Sequence, residues 1–107
     1  MYKLTQLAEQ DIGNIFDYTI DNWGETQAGK YTHQLYSRFQ WLADNPKLGM
    51  ERGEIKEGYR SYFEGKHAIF YRETSEGVEI IGIAGQHEDV VQHLSIEQEQ
   101  TSPKIGY

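Results

Sequence analysis

Apolar residues that recur every three or four positions in the first half of the chain predict two helices. After Ala8, such a stripe runs through Ile12, Ile15, Phe16, Ile20 and Trp23. This spacing places the apolar side chains on one face of a helix. The stripe of a second helix, predicted over residues 25–44, comprises Ala28, Tyr31, Leu35, Phe39 and Leu42. Because Gly24 between them suits a left-handed cap, the pattern predicts a helical hairpin with a very short connection.

Strand patterns lie before and after this hairpin. Weak alternation of apolar and polar residues predicts a short first strand over residues 2–7. Beyond Pro46, which stops the second helix, residues 47–57 have the glycine and charge content of an ordered surface loop. Runs of β-branched and aromatic residues then predict strands over residues 59–63, 67–73 and 78–84.

The predicted order of elements is β-α-α-β-β-β, which is typical of an α+β fold. We expect a short N-terminal strand and a helical hairpin packed on a twisted, mainly antiparallel sheet. Residues 1–94 are expected to form one domain, because 107 residues with 37% hydrophobic content support a single modest core. Residues 95–107 are polar, lack periodicity and are predicted to be a flexible tail. The predicted core consists of Ile12, Ile15, Phe16, Ile20, Leu35, Phe39, Leu42, Ile69, Phe70, Ile81 and Ile83.

The composition narrows the class of protein. The chain has no cysteine, which excludes a disulfide scaffold and a thiolate nucleophile. Glu9 and Asp11 interrupt any N-terminal apolar run, and no stretch approaches the ~18 apolar residues of a membrane span, so a cytoplasmic protein is expected. The net charge of −7 argues against broad, non-specific binding of nucleic acid, because phosphate affinity requires clusters of lysine and arginine.

One segment departs from this acidic average. Residues 52–72 contain five basic and three acidic side chains, a local balance of +2. Cations and proton donors within it could form an RNA-cleaving site. These side chains are Arg60, Lys66, His67, Tyr71 and Arg72. The alternative, which the residue types alone favour, is that charged side chains decorate a hairpin and keep its edge from aggregating.

Two histidines towards the C-terminus raise the question of a metal site. His87 and His93 are separated by five residues, and no third ligand lies in an identifiable frame. Zinc sites usually show denser spacing, so exposed polar side chains are the favoured interpretation. No metal and no cofactor are predicted.

Two longer motifs carry a family resemblance. LADNPKLG, residues 42–49, joins a leucine-rich helix end to an N-P-x-x-G loop. GYRSYFEGKHAIFYR, residues 58–72, matches a G-[LY]-R-S-[FY] strand followed by a G-[RK]-x-x-[IV]-F-Y strand. With both motifs in this order, the stretch from Leu4 to Leu94 resembles the ParE branch of the RelE/ParE toxins of type II toxin-antitoxin systems. The resemblance implies a helical hairpin on a twisted antiparallel sheet.

The resemblance also implies a function, that of a cytoplasmic bacterial toxin that inhibits growth. ParE-like toxins inhibit DNA gyrase by binding, so the resemblance implies no catalytic residue of the toxin's own. The expected partner is a ParD-like antitoxin, which covers a groove at the helical hairpin and a sheet edge and forms a hetero-oligomer with the toxin. The residues expected to bind the target or the antitoxin are Arg60, Tyr62, Lys66, Arg72, His87 and Asp89.

A second branch of the same family offers an enzymatic alternative. RelE-like toxins cut messenger RNA on the ribosome, and here Arg60 and Arg72 would bind phosphate while Tyr71 or His87 transfers protons. RelE-type cleavage depends on basic residues and a tyrosine towards the C-terminus. Residues 85–89, Gly-Gln-His-Glu-Asp, offer little of that set, which favours the ParE branch.

A third interpretation is a non-toxic protein that binds an antitoxin. Many ParE-like sequences carry an arginine and a histidine along and after the last strand, whereas this chain has Gly82 and Gly85 there and keeps only Asp89. The same fold would then associate stably with an antitoxin without arresting growth.

Overall fold

The computed structural model describes the backbone of residues 1–101 and the side chains of residues 1–95. Its helices are α1 (Gln6–Trp23), α2 (Glu25–Asp44) and α3 (Val90–Thr101). Its strands are β1 (Tyr2–Leu4), β2 (Met50–Glu51), β3 (Tyr59–Glu64), β4 (His67–Thr74) and β5 (Gly77–Gly85). The α+β fold predicted from the sequence is confirmed, with a short extra strand and an extra helix.

Thr5 ends the first strand and starts α1. Its hydroxyl accepts a hydrogen bond from the Ala8 amide at 3.0 Å, as an N-cap does, and donates one to the Ile81 carbonyl at 2.6 Å. The strand predicted over residues 2–7 is therefore too long, because residues from Gln6 onward are helical. At the other end of α1, Gly24 adopts a φ of 89° and connects α1 directly to α2, as predicted.

The five strands form one sheet in the order β1-β5-β4-β3-β2. β1 is parallel to β5, and every other neighbouring pair is antiparallel. The register shifts between Phe70 and Tyr71, which leaves Ile81 as an extra, bulged residue in β5. This bulge changes the alternation of the strand, so Ile80 and Ile83 face one side of the sheet and Ile81 faces the other.

The helical hairpin covers one side of the sheet, here called the hairpin face. Its buried cluster comprises Ala8, Ile12, Ile15, Leu35, Phe39, Leu42, Ile69, Tyr71, Val78, Ile80 and Ile83. Most of the predicted core therefore lies here. Phe16 and Ile20, also predicted as core, are only half-buried. The buried stripe of α1 instead includes Thr19, whose hydroxyl donates a hydrogen bond to the Ile15 carbonyl at 2.7 Å.

The opposite side of the sheet, here called the α3 face, has a separate apolar cluster. It comprises Leu7, Tyr59, Ala68, Phe70, Ile81, Ala84 and Leu94. α3 lies on this face and continues to Thr101, whereas the sequence predicts a flexible tail from residue 95. A helix with so few apolar residues shows no clear period, and its docking depends on contacts from distant parts of the chain. Residues 102–107 of the predicted tail lie outside the described residues.

The loop predicted over residues 47–57 is ordered by β2 and by one buried tyrosine. The Tyr71 hydroxyl accepts a hydrogen bond from the Gly49 amide at 2.8 Å and donates one to the Pro46 carbonyl at 2.9 Å. A Cβ added at Gly49 would collide with that hydroxyl. The N-P-x-x-G motif therefore encodes a close contact between the loop and the centre of the sheet.

Candidate functional site

The residues predicted to bind the target or the antitoxin do not converge on one surface. The strand register places Arg60 and Tyr62 on the hairpin face and Arg72 on the α3 face. Lys66 lies in the β3–β4 turn. The remaining two, His87 and Asp89, lie in the connection between β5 and α3.

Arg60, on β3, holds the surface loop of residues 47–57 in place. Its guanidinium donates hydrogen bonds to the carbonyls of Gly49 at 2.9 Å and Lys47 at 3.2 Å, and lies 3.5 Å from the Glu51 carboxylate. The side chain is only 21% exposed. Its donors are therefore committed to the chain itself, which leaves few for a partner.

Internal pairing extends to every arginine of the chain. Each guanidinium lies within ion-pair distance of a carboxylate, at 2.7–3.5 Å. The pairs are Arg38 with Glu64, Arg52 with Glu54, Arg60 with Glu51 and Arg72 with Glu79. The basic segment noted in the sequence is thus largely neutralised by neighbouring acids, and it does not form a cluster of free cations.

A groove lies where the connected end of the helical hairpin, beside Gly24, meets the β3–β4 turn. It measures about 580 Å³. Its rim carries two large exposed rings, Tyr18 at 66% and Trp23 at 71% exposure. The other lining residues are Thr19, Gln27, Tyr31, Gly65, Lys66 and His67. Exposed aromatic rings beside a lysine form the kind of surface that binds proteins, because aromatic residues dominate the energetics of many interfaces.

Tyr31 and His67 form the polar floor of this groove. The Tyr31 hydroxyl donates to the Glu64 carbonyl at 2.8 Å and lies 2.7 Å from His67 Nδ1, so the imidazole donates through Nδ1. Burial, helped by the charge of Glu64, raises the pKa of Tyr31 to about 12. Burial lowers the pKa of His67, against the opposing effect of Glu88 and Asp11. Both side chains are therefore neutral near pH 7.

A second polar cluster, which the sequence analysis did not find, joins α1, β5 and α3. Asp11 is 5% exposed, and its Oδ2 accepts a hydrogen bond from the Ile83 amide at 2.8 Å. His93 Nε2 lies 2.9 Å from the same oxygen, and His93 Nδ1 lies 3.0 Å from a Glu88 carboxylate oxygen. An aspartate within the apolar stripe of α1 is the sequence signal that could have revealed this cluster.

The predicted site residue Asp89 belongs to the start of α3. Its Oδ1 accepts a hydrogen bond from the Gln92 amide at 3.1 Å, as an N-cap does. Its neighbour His87 is exposed. The bond places Asp89 in a structural role, and its part in binding stays a prediction.

The fold described above is that of a small α+β protein, and a match to a known family shows which class of protein it is. Residues 2–90 match the family model described as the ParE toxin of the type II toxin-antitoxin system, parDE. The chain belongs to this ParE toxin family, and the branch predicted from the two sequence motifs is confirmed.

Similar proteins carry the same description. Toxin ParE1 of Mycobacterium tuberculosis is 36% identical over 94 residues, which cover 87% of this chain and 96% of that toxin. Toxin ParE1 of Caulobacter vibrioides is 32% identical over 93 residues, with the same shares covered. A chain of the chromosomal ParDE TA system from P. aeruginosa has the same fold, with a TM-score of 0.67 at 20% identity over 78% of this chain and 92% of that one. None of the helices in the described part of the chain is long and apolar enough to cross a membrane.

Proposed function

We propose that this toxin inhibits DNA gyrase by binding to it, without catalysing a reaction, and that a ParD-like antitoxin neutralises it. Membership of the ParE toxin family carries the proposal. The pairing of every arginine with a carboxylate supports it, because cleavage of RNA would need cations that are free to bind phosphate.

Inhibition by binding requires only a preference for one state of the target. A small protein that binds gyrase more tightly while its DNA is cut raises the population of that broken intermediate. A differential affinity of about 5.5 kcal/mol is enough to move an equilibrium from 1:99 to 99:1. Rigid, exposed side chains can supply such an affinity, and no proton transfer by the toxin is involved.

Lys66 is the predicted contact residue whose surroundings best suit a role in binding. It is exposed in the turn beside the groove and forms no ion pair among the described side chains. Arg60 and Arg72 are committed to internal partners, so their substitution would disturb the fold or a surface pair first. Contacts by Tyr62, His87 and Asp89 stay part of the proposal, with Lys66 as its first test.

The experiment measures gyrase-dependent DNA breaks with purified toxin and two charge-reversal variants. We expect Lys66→Glu to reduce the breaks at least tenfold, while Lys3→Glu, on the β1 edge far from the groove, leaves them unchanged. The melting temperature of both variants should stay close to that of the parent, because exposed charges contribute little to stability. Equal breakage by Lys66→Glu and the parent would remove the groove from the mechanism.

Parallel assays separate the possible activities. Intact transcripts in a translating extract, together with DNA breaks in the gyrase assay, are expected. Site-specific cuts in transcripts without gyrase inhibition would instead show the messenger RNA cleavage of the RelE branch. Growth that continues normally on overexpression, with neither effect, would show a protein that only binds its antitoxin.

A separate experiment tests the antitoxin. The antitoxin is expected to be encoded by a small reading frame beside the toxin gene, and its co-expression should restore growth and yield a complex that purifies as one species. A neighbouring product that neither binds the toxin nor restores growth would contradict the proposed pairing.

A further inference from the structure

The groove beside Gly24 differs in charge from the protein as a whole. The chain has 17 acidic and 10 basic side chains, yet no aspartate or glutamate of the described residues lines the groove. Lys66 is the only lysine or arginine in the lining, and it is exposed. Among the described side chains, no carboxylate lies within ion-pair distance of its ammonium group. An uncompensated cation in an acidic protein favours a ligand that carries a carboxylate.

The rim of the groove exposes a large apolar surface. Trp23, the last residue of α1, is 71% exposed, and Tyr18 of the same helix is 66% exposed. Aromatic rings are frequent anchors of protein interfaces, because they bury a large area at a low cost in conformational entropy. The volume of about 580 Å³ lies within the ~300 to 1,000 Å³ of typical ligand pockets. The rim therefore suits one large apolar side chain of a short ligand segment.

The turn that carries Lys66 is held in place by two side chains of α2. The Tyr31 hydroxyl donates to the Glu64 carbonyl at 2.8 Å, and a Cβ added to Gly65 would lie 3.0 Å from the Tyr31 ring. Arg38 Nε donates to the Glu64 carboxylate at 2.8 Å and so neutralises the acidic side chain beside the turn. The cation and the aromatic rim are therefore positioned before a ligand binds, which reduces the entropy cost of binding.

We infer that the groove binds a short segment of gyrase in which an aromatic or large aliphatic side chain stands next to an aspartate or glutamate. The apolar side chain packs on Trp23 and Tyr18, and the carboxylate accepts a charge-assisted hydrogen bond from Lys66. Nucleic acid is a poor alternative, because the net charge of −7 repels phosphates and one lysine neutralises only one of them. The inference rests on the proposed inhibition of gyrase and names the chemistry of that contact.

The affinity of purified toxin for immobilised gyrase tests the aromatic part of the inference. We expect Trp23→Ala to weaken binding at least tenfold, because truncation of an aromatic anchor removes much of the binding energy of an interface. Leu48→Ala is the matched control, since Leu48 is 59% exposed in the loop of residues 47–57 and does not line the groove. Its affinity should stay within twofold of the parent. Equal affinity of Trp23→Ala and the parent overturns the inference.

Charge variants in the same assay test the acidic part. Lys66→Arg keeps the cation, so its affinity should stay within about threefold of the parent, whereas Lys66→Glu should bind at least tenfold more weakly. Both substitutions are at an exposed position, and the melting temperature should change little. Tighter binding of gyrase by Lys66→Glu would show that the segment is basic, which overturns the inference.

A measurement on the unmodified toxin needs no gyrase. The probes are two capped peptides at millimolar concentration, the acidic Asp-Phe-Asp-Leu-Glu and the basic Lys-Phe-Lys-Leu-Lys. In nitrogen-15 NMR spectra of the full-length toxin, we expect the acidic peptide to shift the Trp23 indole signal and the amides of Gly65 and Lys66. The basic peptide should leave these signals unchanged. Shifts caused only by the basic peptide, or by neither, overturn the inference.

The outcomes separate this inference from the proposed function. A parent toxin that neither binds nor inhibits gyrase refutes the proposed function, whereas inhibition by the parent together with parent-like affinity of Trp23→Ala refutes the groove alone. Two other occupants are also tested in Trp23→Ala. Loss of antitoxin binding, or of self-association, while gyrase binds as it does to the parent assigns the groove to that other occupant and overturns the inference.

Discussion

The two faces of the sheet are covered in different ways. The hairpin face lies under two long helices whose apolar stripes pack on Ile69, Ile80 and Ile83. The α3 face lies under one helix whose described side chains contribute the fully buried Leu94, the partly buried Val90 and the contact of His93 with Asp11. Apolar packing on the hairpin face is distributed over many contacts, whereas the described part of α3 combines apolar packing with a polar contact. The two faces therefore depend on different kinds of interaction.

The largest expected effect is on folding, and it compares an aspartate introduced into the buried cluster of each face. Phe39 is fully buried in the hairpin face and contacts the ring of Tyr2 at 5.5 Å between centroids. Phe39→Asp should abolish folding, because burying an unpaired carboxylate costs more than the ~5 to 15 kcal/mol by which such domains are stable. Leu94→Asp should detach α3 and leave the rest folded. Circular dichroism melts and two-dimensional NMR measure both outcomes; a cooperative melt of Phe39→Asp like that of the parent would contradict the core assignment.

A smaller loss of stability is expected when the loop of residues 47–57 loses its hydrogen bonds to Tyr71 of the hairpin face. Tyr71→Phe removes the hydroxyl that binds the Gly49 amide and the Pro46 carbonyl. The buried Gly49 amide is then left without an acceptor. Urea denaturation should show a loss of about 1 to 3 kcal/mol in the free energy of unfolding. Tyr62→Phe on β3 is the matched control, since no described hydrogen bond involves its hydroxyl. Equal costs for the two variants would show that the loop is not held by Tyr71.

The contact between β5 and α3 should respond to the addition of one methyl group. Gly82→Ala places a Cβ 2.9 Å from Leu94 and 3.2 Å from Leu7, which forces these leucines apart. We expect a loss of about 1 kcal/mol in stability and faster exchange of the α3 amides, because overpacking a tight contact is destabilising. Gly85→Ala is the control, since its nearest neighbour is 3.5 Å away. Unchanged exchange of the α3 amides in Gly82→Ala would show that the α3 face is loosely packed.

The smallest expected effect concerns the pH dependence of stability on the hairpin face. His67 lies on the hairpin face, and burial lowers its pKa from 6.5. The folded state therefore binds fewer protons than the unfolded state just below pH 6.5, so stability falls as the pH decreases through this window. His67→Gln should reduce that loss, as seen in urea midpoints from pH 5 to 7.

A matched control completes this test. His33→Gln, at an exposed position of α2, should keep the acid-induced loss of stability. An unchanged loss in His67→Gln would show that His67 is not its cause.

Much of the fold, but little of the candidate site, could be predicted from the sequence. The bounds of α2 follow from its apolar period, and the positions of β3, β4 and β5 follow from short runs of β-branched and aromatic residues. The prediction of the six contact residues rests on charge and motif. Charge does not show which face of a strand a side chain takes, nor that Arg60 would bind loop carbonyls. The resemblance implied a groove at the helical hairpin, but its lining around Trp23 was not predicted, because it forms only where α1, α2 and the β3–β4 turn meet.

The sequence by itself determined the class of protein: apolar periodicity encodes the hairpin and the strands, and two motifs identify the ParE branch. Both are local properties, readable within 15 residues or fewer. Only the tertiary structure decided that α3 docks on the sheet and that Asp11, Glu88 and His93 meet. Asp11 and His93 are 82 residues apart in the chain, and the bulge at Ile81 sends Ile81 and Ile83, two positions apart, to opposite faces. Such contacts depend on how the elements pack against each other, which no short stretch of sequence contains.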